Sequence, residues 1–332
     1  MYHNIIVICC SLLIISCSSD DSTSTSTTKA APTNSAPIYL TSISTSLTTS
    51  EYDTKFKEGI DAGISYFGSI AGVYIYIYDQ NGVETVAKDF CEKQVSYTST
   101  TSYDECYAHQ LSASSANGLK SSVESSNTSN AFNAALNGST NGFYPMSFGL
   151  SDSPTDNATY LAHIAIHEYA HVFQHHYSVS DTLAYSTWVT EGYAQFIGQL
   201  IGSQKSYTNF ASDMLSSFST IRDMTETSLM FSAQPYQTGS WAMAYLAQKV
   251  NTANSCTSNC SVGLNALKTF FETAGVSGAV VDTVFESTFG LTQSALETEL
   301  SAFLLAMDYS SGSSTEASAW LSTFYNSQPT SL

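Results

Sequence analysis

An α+β fold is predicted for this chain of 332 residues, because its strand patterns and its helix patterns occupy different halves. Val73-Tyr-Ile-Tyr-Ile-Tyr78 and residues 142–148 read as strands, and no strand pattern interrupts the helix-period apolar spacing that runs from residue 151 onward. The expected layout is an N-terminal mixed α/β subdomain with a small sheet over 51–150 and a C-terminal, mostly helical subdomain over 151–310. A cleft is expected between the two.

Taken in order, residues 5–15 are an apolar run too short to cross a bilayer and are followed by small residues, the pattern of an export signal over 1–16. Its end, Ile14-Ile15-Ser16-Cys17, resembles a bacterial lipobox. That resemblance implies cleavage before Cys17 and a lipid on its sulfur, hence a cell-envelope lipoprotein at the outer membrane or cell surface. The n-region departs from the pattern in carrying His3 but no Lys or Arg, and an ordinary secretory signal cut nearby is the alternative. Residues 17–50 are dominated by Ser and Thr, bury little apolar surface and read as a tether.

Phe56, Ile60, Ile64 and Phe67 set a helix over 51–67, residues 79–82 carry turn chemistry, and a short helix follows over 83–93. A Ser/Asn-rich stretch extends to Asn130. Further helices are expected over 155–177, 187–201, 207–218, 238–250, 263–274, 278–289 and 292–307. The Ser/Gly-rich residues 311–332 read as a tail.

Charge narrows the function classes. With 28 acidic against 10 basic residues, a formal charge of −18 and Arg222 as the one arginine, the chain repels phosphate backbones and anionic lipid surfaces. Nucleic acid is excluded as a partner, and a membrane is reached only through a lipid on Cys17. Once Cys9, Cys10 and Cys17 are assigned to signal and anchor, Cys91, Cys106, Cys256 and Cys260 remain. Proximity favours Cys91–Cys106 and Cys256–Cys260 among the three connectivities that four cysteines allow.

The chemistry is carried by His167-Glu168-Tyr169-Ala170-His171, inside an apolar-periodic helix. Residues four apart share a helix face, so both imidazoles reach one ion while Glu168 stands beside it as a base. A catalytic zinc takes a third protein ligand, and Glu191 in Trp188-Val-Thr-Glu-Gly-Tyr-Ala-Gln-Phe196 offers it from the next helix. A metzincin would place Gly and His three and six residues past the second histidine; Gln174 and Tyr177 stand there. His175 and His176 are off register and read as solvated or supporting histidines. A pair of His163 with His167 would leave Glu168 without a role.

With these residues the chain resembles the gluzincin metallopeptidases, which combine a His-Glu-x-x-His helix with a downstream glutamate ligand. The WVTEGYAQF block, the PYQTGSWAMAYL stretch from Pro235 and VFESTFGLTQSALETEL from Val284 extend the likeness over about half the chain. The resemblance implies zinc on His167, His171 and Glu191, Glu168 as general base, and Tyr236 as donor to the developing oxyanion. It also implies that residues 142–148 pair with an extended substrate. Two departures stand out. Gln195 occupies the place where thermolysin-like members use an aspartate to orient a ligating histidine, and no GxMEN-like string grips a free amino terminus.

The function expected is zinc-dependent endopeptidase action by a monomer on a peptide or protein. The alternatives are an inactive surface binding protein on the same scaffold and a zinc hydrolase of a non-peptide bond. The absence of a GxSxG elbow removes the serine-hydrolase reading.

Overall fold

In the computed structural model, strands β1 (Ile38–Ser42), β2 (Val73–Asp79), β3 (Asn130–Asn133) and β4 (Tyr144–Leu150) form one sheet in the order β1-β2-β4-β3. The structure describes residues 36–43, 49–97, 102–115, 118–124, 130–133, 142–151, 157–178, 185–216, 218–222, 231–275, 279–310 and 313–332. β1, β2 and β4 run parallel, and β3 runs antiparallel to β4. Parallel neighbours need a crossover connection, which α1 (Thr49–Phe67) supplies between β1 and β2.

β2 shows why the sheet is buried. All seven of its residues are buried, as in parallel strands covered on both faces. Val73, Ile75 and Ile77 join Met146 and Phe148 against Phe56 and Ile60 of α1 in the main apolar cluster. Tyr74, Tyr76 and Tyr78 face the other way, into a second cluster with Val86, Ala87 and Phe90 of α2 (Val83–Tyr97) and Leu119 of α4 (Leu119–Glu124). α3 (Tyr103–Gln110) completes that layer, and Cys91 of α2 is disulfide-bonded to its Cys106. A slip of one residue would exchange the aliphatic and tyrosine faces, so the pattern fixes the register.

Beyond β4 the named elements are helices: α5 (Ala158–Tyr177), α6 (Thr187–Gln204), α7 (Phe210–Ser216), α8 (Phe218–Arg222), α9 (Pro235–Ala253), α10 (Val262–Ala274), α11 (Val281–Phe289), α12 (Gln293–Ala306) and α13 (Thr315–Ser327). The molecule is therefore mostly helical with a small sheet, an α+β arrangement. The main apolar cluster includes residues of β2, β4, α1, α5, α6 and α9 to α13. Cys256 and Cys260, the second disulfide, close the turn between α9 and α10.

Several expectations need correction. β1 falls inside the stretch read as a tether: Ile38-Tyr-Leu-Thr-Ser42 is only partly buried, but β2 supplies its backbone partners. The Ser/Thr-rich average hides a five-residue segment of adequate β-propensity. α3 and α4 lie in the Ser/Asn-rich stretch for which no element was expected, and β3 begins at its end, Asn130. Ser102 starts α3 with a capping box closed by Glu105, a local signal that the surrounding serines obscure.

The expected tail holds α13, whose Ala317, Leu321 and Phe324 are buried. Its end is tied down where Gln204 donates to the Pro329 carbonyl at 2.7 Å and accepts from the Leu332 amide at 3.1 Å. The helix expected over 207–218 is α7, with α8 beginning at Phe218. α9 starts at Pro235, a first-turn position that suits proline, rather than at Thr238. The expected signal and Cys17 lie outside the described residues.

Candidate metal centre

Helix α5 begins at Asn157, whose side chain accepts from the Thr159 and Tyr160 amides. From Leu161 to Gln174 it is buried on nearly every side, the mark of a core helix. His163, His167, Glu168, His171 and Gln174 are thus polar groups inside the core, where each costs free energy unless it is partnered.

The structure brings three of the expected site residues together. One ligand atom from each of His167, His171 and Glu191 lies within 4.8 Å of the others. The two imidazole Nε2 atoms are 3.1 Å apart, and Glu191 Oε2 is 3.5 Å from His167 Nε2 and 3.2 Å from His171 Nε2. Zinc ligands about 2.1 Å from a tetrahedral ion sit roughly 3.4 Å from one another, so this triangle has the edge lengths of such a site. The residues present fit a zinc ion with one position left open.

The helix geometry explains the match. His167 and His171 are one turn apart on α5, and α6 carries Glu191 to them by crossing close by. Gly198 of α6 fits where a Cβ would stand 3.3 Å from the His167 Cβ. α9 approaches α6 as closely: a Cβ on Gly192 would lie 2.3 Å from the Gly239 Cα. That contact, available to glycine alone, sets the start of α9 beside the triangle. The Tyr236 ring there lies 6.3 Å from the His167 ring at an interplanar angle of 18°.

Charge follows the geometry. Burial lowers the His171 pKa, but the Glu191 carboxylate overrides it and holds the imidazole up at about 9. Burial alone would raise Glu191, yet His171 and His167 together hold it far below the ordinary carboxylate range. The Glu168 carboxylate is buried and close enough to add to the lift on His171. Without metal, the triangle is an ion pair in the core.

The other histidines stay outside it. Burial lowers His163 to about 4, and its Nδ1 lies 2.5 Å from the Tyr160 carbonyl. His175 is likewise lowered to about 4 by burial. His176 meets the Tyr144 hydroxyl at 3.3 Å. Among the described residues, the one group of three or more potential ligands is His167, His171 and Glu191.

Two expectations about supporting residues are overturned. His171 Nδ1 is 2.8 Å from Gln174 Oε1, and Gln174 Nε2 donates to the Thr190 carbonyl at 2.9 Å. Gln174 is thus the glutamine bonded to the His171 ring, whereas Gln195, at the position expected to hold an imidazole, makes no hydrogen bond to either one among the described residues. The signal for it was a fully buried amide in an apolar helix, one turn from a ligand. Within residues 142–148, Met146–Phe148 also lose their assigned role. β4 is paired with β2 on one side and with β3 on the other over Met146–Gly149, so it has no free edge there for a substrate strand.

No protein-family model, no curated protein and no solved structure matches the chain. Among the described residues, no helix is long and apolar enough to cross a membrane.

Proposed function

We propose that the protein is a gluzincin-type zinc metallopeptidase, with His167, His171 and Glu191 holding the ion and Glu168 acting as general base. The observation that carries this reading is the triangle of two Nε2 atoms and a carboxylate oxygen drawn from two helices within 4.8 Å. A zinc ion held there would polarise a substrate carbonyl and acidify a water. Glu168 takes the proton of the attacking water and delivers it to the leaving amine. Tyr236, beside His167, donates a hydrogen bond to the oxyanion that develops on the former carbonyl.

The substrate in this reading is a peptide or protein, extended in the cleft between the strand-bearing and helical parts. The terminal strand β3, whose backbone runs beside α5, offers the edge to which such a chain would add. Export as a lipoprotein attached through Cys17 completes the proposal, supported by the lipobox-like Ile14-Ile15-Ser16-Cys17 and by the two cysteine pairs at bonding distance. Acyl labelling of wild type, lost in Cys17→Ala, tests that part.

The deciding experiment is metal analysis with a casein digest. Wild type is expected to hold one zinc per chain and to cleave casein in a chelator-sensitive way. Glu191→Ala should lose zinc, and Glu168→Gln should keep zinc without cleaving. A zinc-free wild type overturns the proposal. Zinc without casein cleavage, but with hydrolysis of ester or epoxide substrates, moves the site to another hydrolase class.

A further inference from the structure

A metal held by His171 would need that ring fixed, and of the two nearby glutamines, Gln174 and Gln195, the structure brings only Gln174 to it. We propose that Gln174 is the positioning residue of this site: its amide oxygen holds His171 Nδ1 while its amide nitrogen is anchored on the carbonyl of Thr190, the residue before Glu191. The inference rests on the zinc reading above, but not on what the site hydrolyses.

The physical case has three parts. A neutral imidazole that offers Nε2 to a metal carries its proton on Nδ1, and that proton needs an acceptor. Gln174 Oε1 stands 2.8 Å from His171 Nδ1. An amide can rotate to exchange its oxygen and nitrogen, so an amide used as an acceptor has to be fixed in one orientation. The Thr190 carbonyl, 2.9 Å from Gln174 Nε2, accepts only from a donor and fixes it. Finally, Gln174 is fully buried, so water does not compete for either bond.

The chain Nδ1–H to Gln174 to Thr190 thus spans the two helices that carry the ligands. A turn of the His171 ring and a shift of the Glu191 segment are linked through one side chain. His167 shows the contrast: its Nδ1 is buried with no hydrogen-bond partner among the described residues. Among the described residues, only one of the two imidazoles is held from behind, and Gln174 holds it.

Zinc affinity measured by chelator competition separates this role from a purely structural one. Gln174→Met keeps the bulk but neither bond, and is expected to bind zinc about 10- to 100-fold more weakly than wild type. Gln174→Glu restores the acceptor for His171 and loses the donor to Thr190, so it should recover most of that affinity. Gln195→Met should bind zinc as wild type does. If Gln174 served only to tie α5 to α6, the Met and Glu variants would fail alike.

A measurement on wild type stands apart from any folding defect. The imidazole nitrogen-15 spectrum of the zinc-loaded protein should show His171 protonated at Nδ1 and metal-bound at Nε2. The reverse assignment overturns the proposal, as does wild-type affinity in Gln174→Met or an equal loss in Gln195→Met. A wild type that takes no zinc removes both this inference and the reading beneath it. Zinc binding without peptide cleavage removes only the hydrolytic part.

Discussion

Helix α5 buries two unlike faces. Toward α1 it presents Ala162, Ala165 and Tyr169, and α1 answers with Gly59 and Gly63, so close that a Cβ on Gly59 would stand 2.1 Å from the Ala162 carbonyl oxygen. Toward α6 it presents His167, His171 and Gln174, which meet Glu191 and the Thr190 carbonyl. The first face needs only volume and shape, and apolar substitutions of matched size would preserve it. The second takes charged and polar groups out of water, which well-packed hydrophobic residues would avoid. Packing alone does not require these groups, and they come together where α5 and α6 meet.

The contrast makes separate predictions for the two faces. On the polar face, Glu168→Gln should leave the thermal transition near wild type and lower hydrolysis by about 10²- to 10⁴-fold, because general-base catalysis contributes on that scale. Loss of folding together with activity would show Glu168 to be structural. Tyr236→Phe should cost roughly 10²- to 10³-fold in kcat with little change in KM, since in the proposed mechanism the hydroxyl acts only as the oxyanion forms. A change confined to KM would move Tyr236 from the reaction to substrate binding.

The ion pair gives the next effect. Its His171 partner is raised to about 9 in the folded metal-free protein, so the stability it contributes is complete below the ordinary imidazole pKa and declines as pH rises through about 9. Each pKa unit corresponds to about 1.4 kcal/mol. Zinc requires the imidazole without that proton, so zinc affinity should rise over the same interval while metal-free stability falls. Calorimetric scans of metal-free and zinc-loaded protein across this range should diverge with pH. Parallel curves would remove the pair from the proposed metal site.

On the apolar face, Gly59→Ala should destabilise by about 1–3 kcal/mol through overpacking against α5. Zinc content and activity per folded molecule should be unchanged. A loss of zinc there would show that the two faces of α5 are coupled.

The residues themselves reveal much of this, and unevenly. The helix that holds His167, Glu168 and His171 is legible because spacing of i, i+4 is a local property of the backbone: once the segment is helical, both imidazoles lie on one side. The alternating face of Val73 to Tyr78 is legible for the same reason, through the period of a strand. Cys91–Cys106 and Cys256–Cys260 are close in sequence, and the structure joins the same pairs.

What is not legible in the residues depends on distant partners. Ile38 to Ser42 becomes a strand because β2 has an open parallel edge for it, and α13 forms because Trp241, Phe210 and Phe196 offer it aromatic surface. The choice of Gln174 over Gln195 was likewise beyond spacing. Both are near the ligands in sequence, but only the angle at which α6 crosses α5 places the Thr190 carbonyl where it can fix one amide. Local periodicity, set by backbone geometry, thus determined which residues share a helix or strand face. Helix crossings, set by where glycine lets two backbones meet, decided which of those faces brings His167, His171 and Glu191 together.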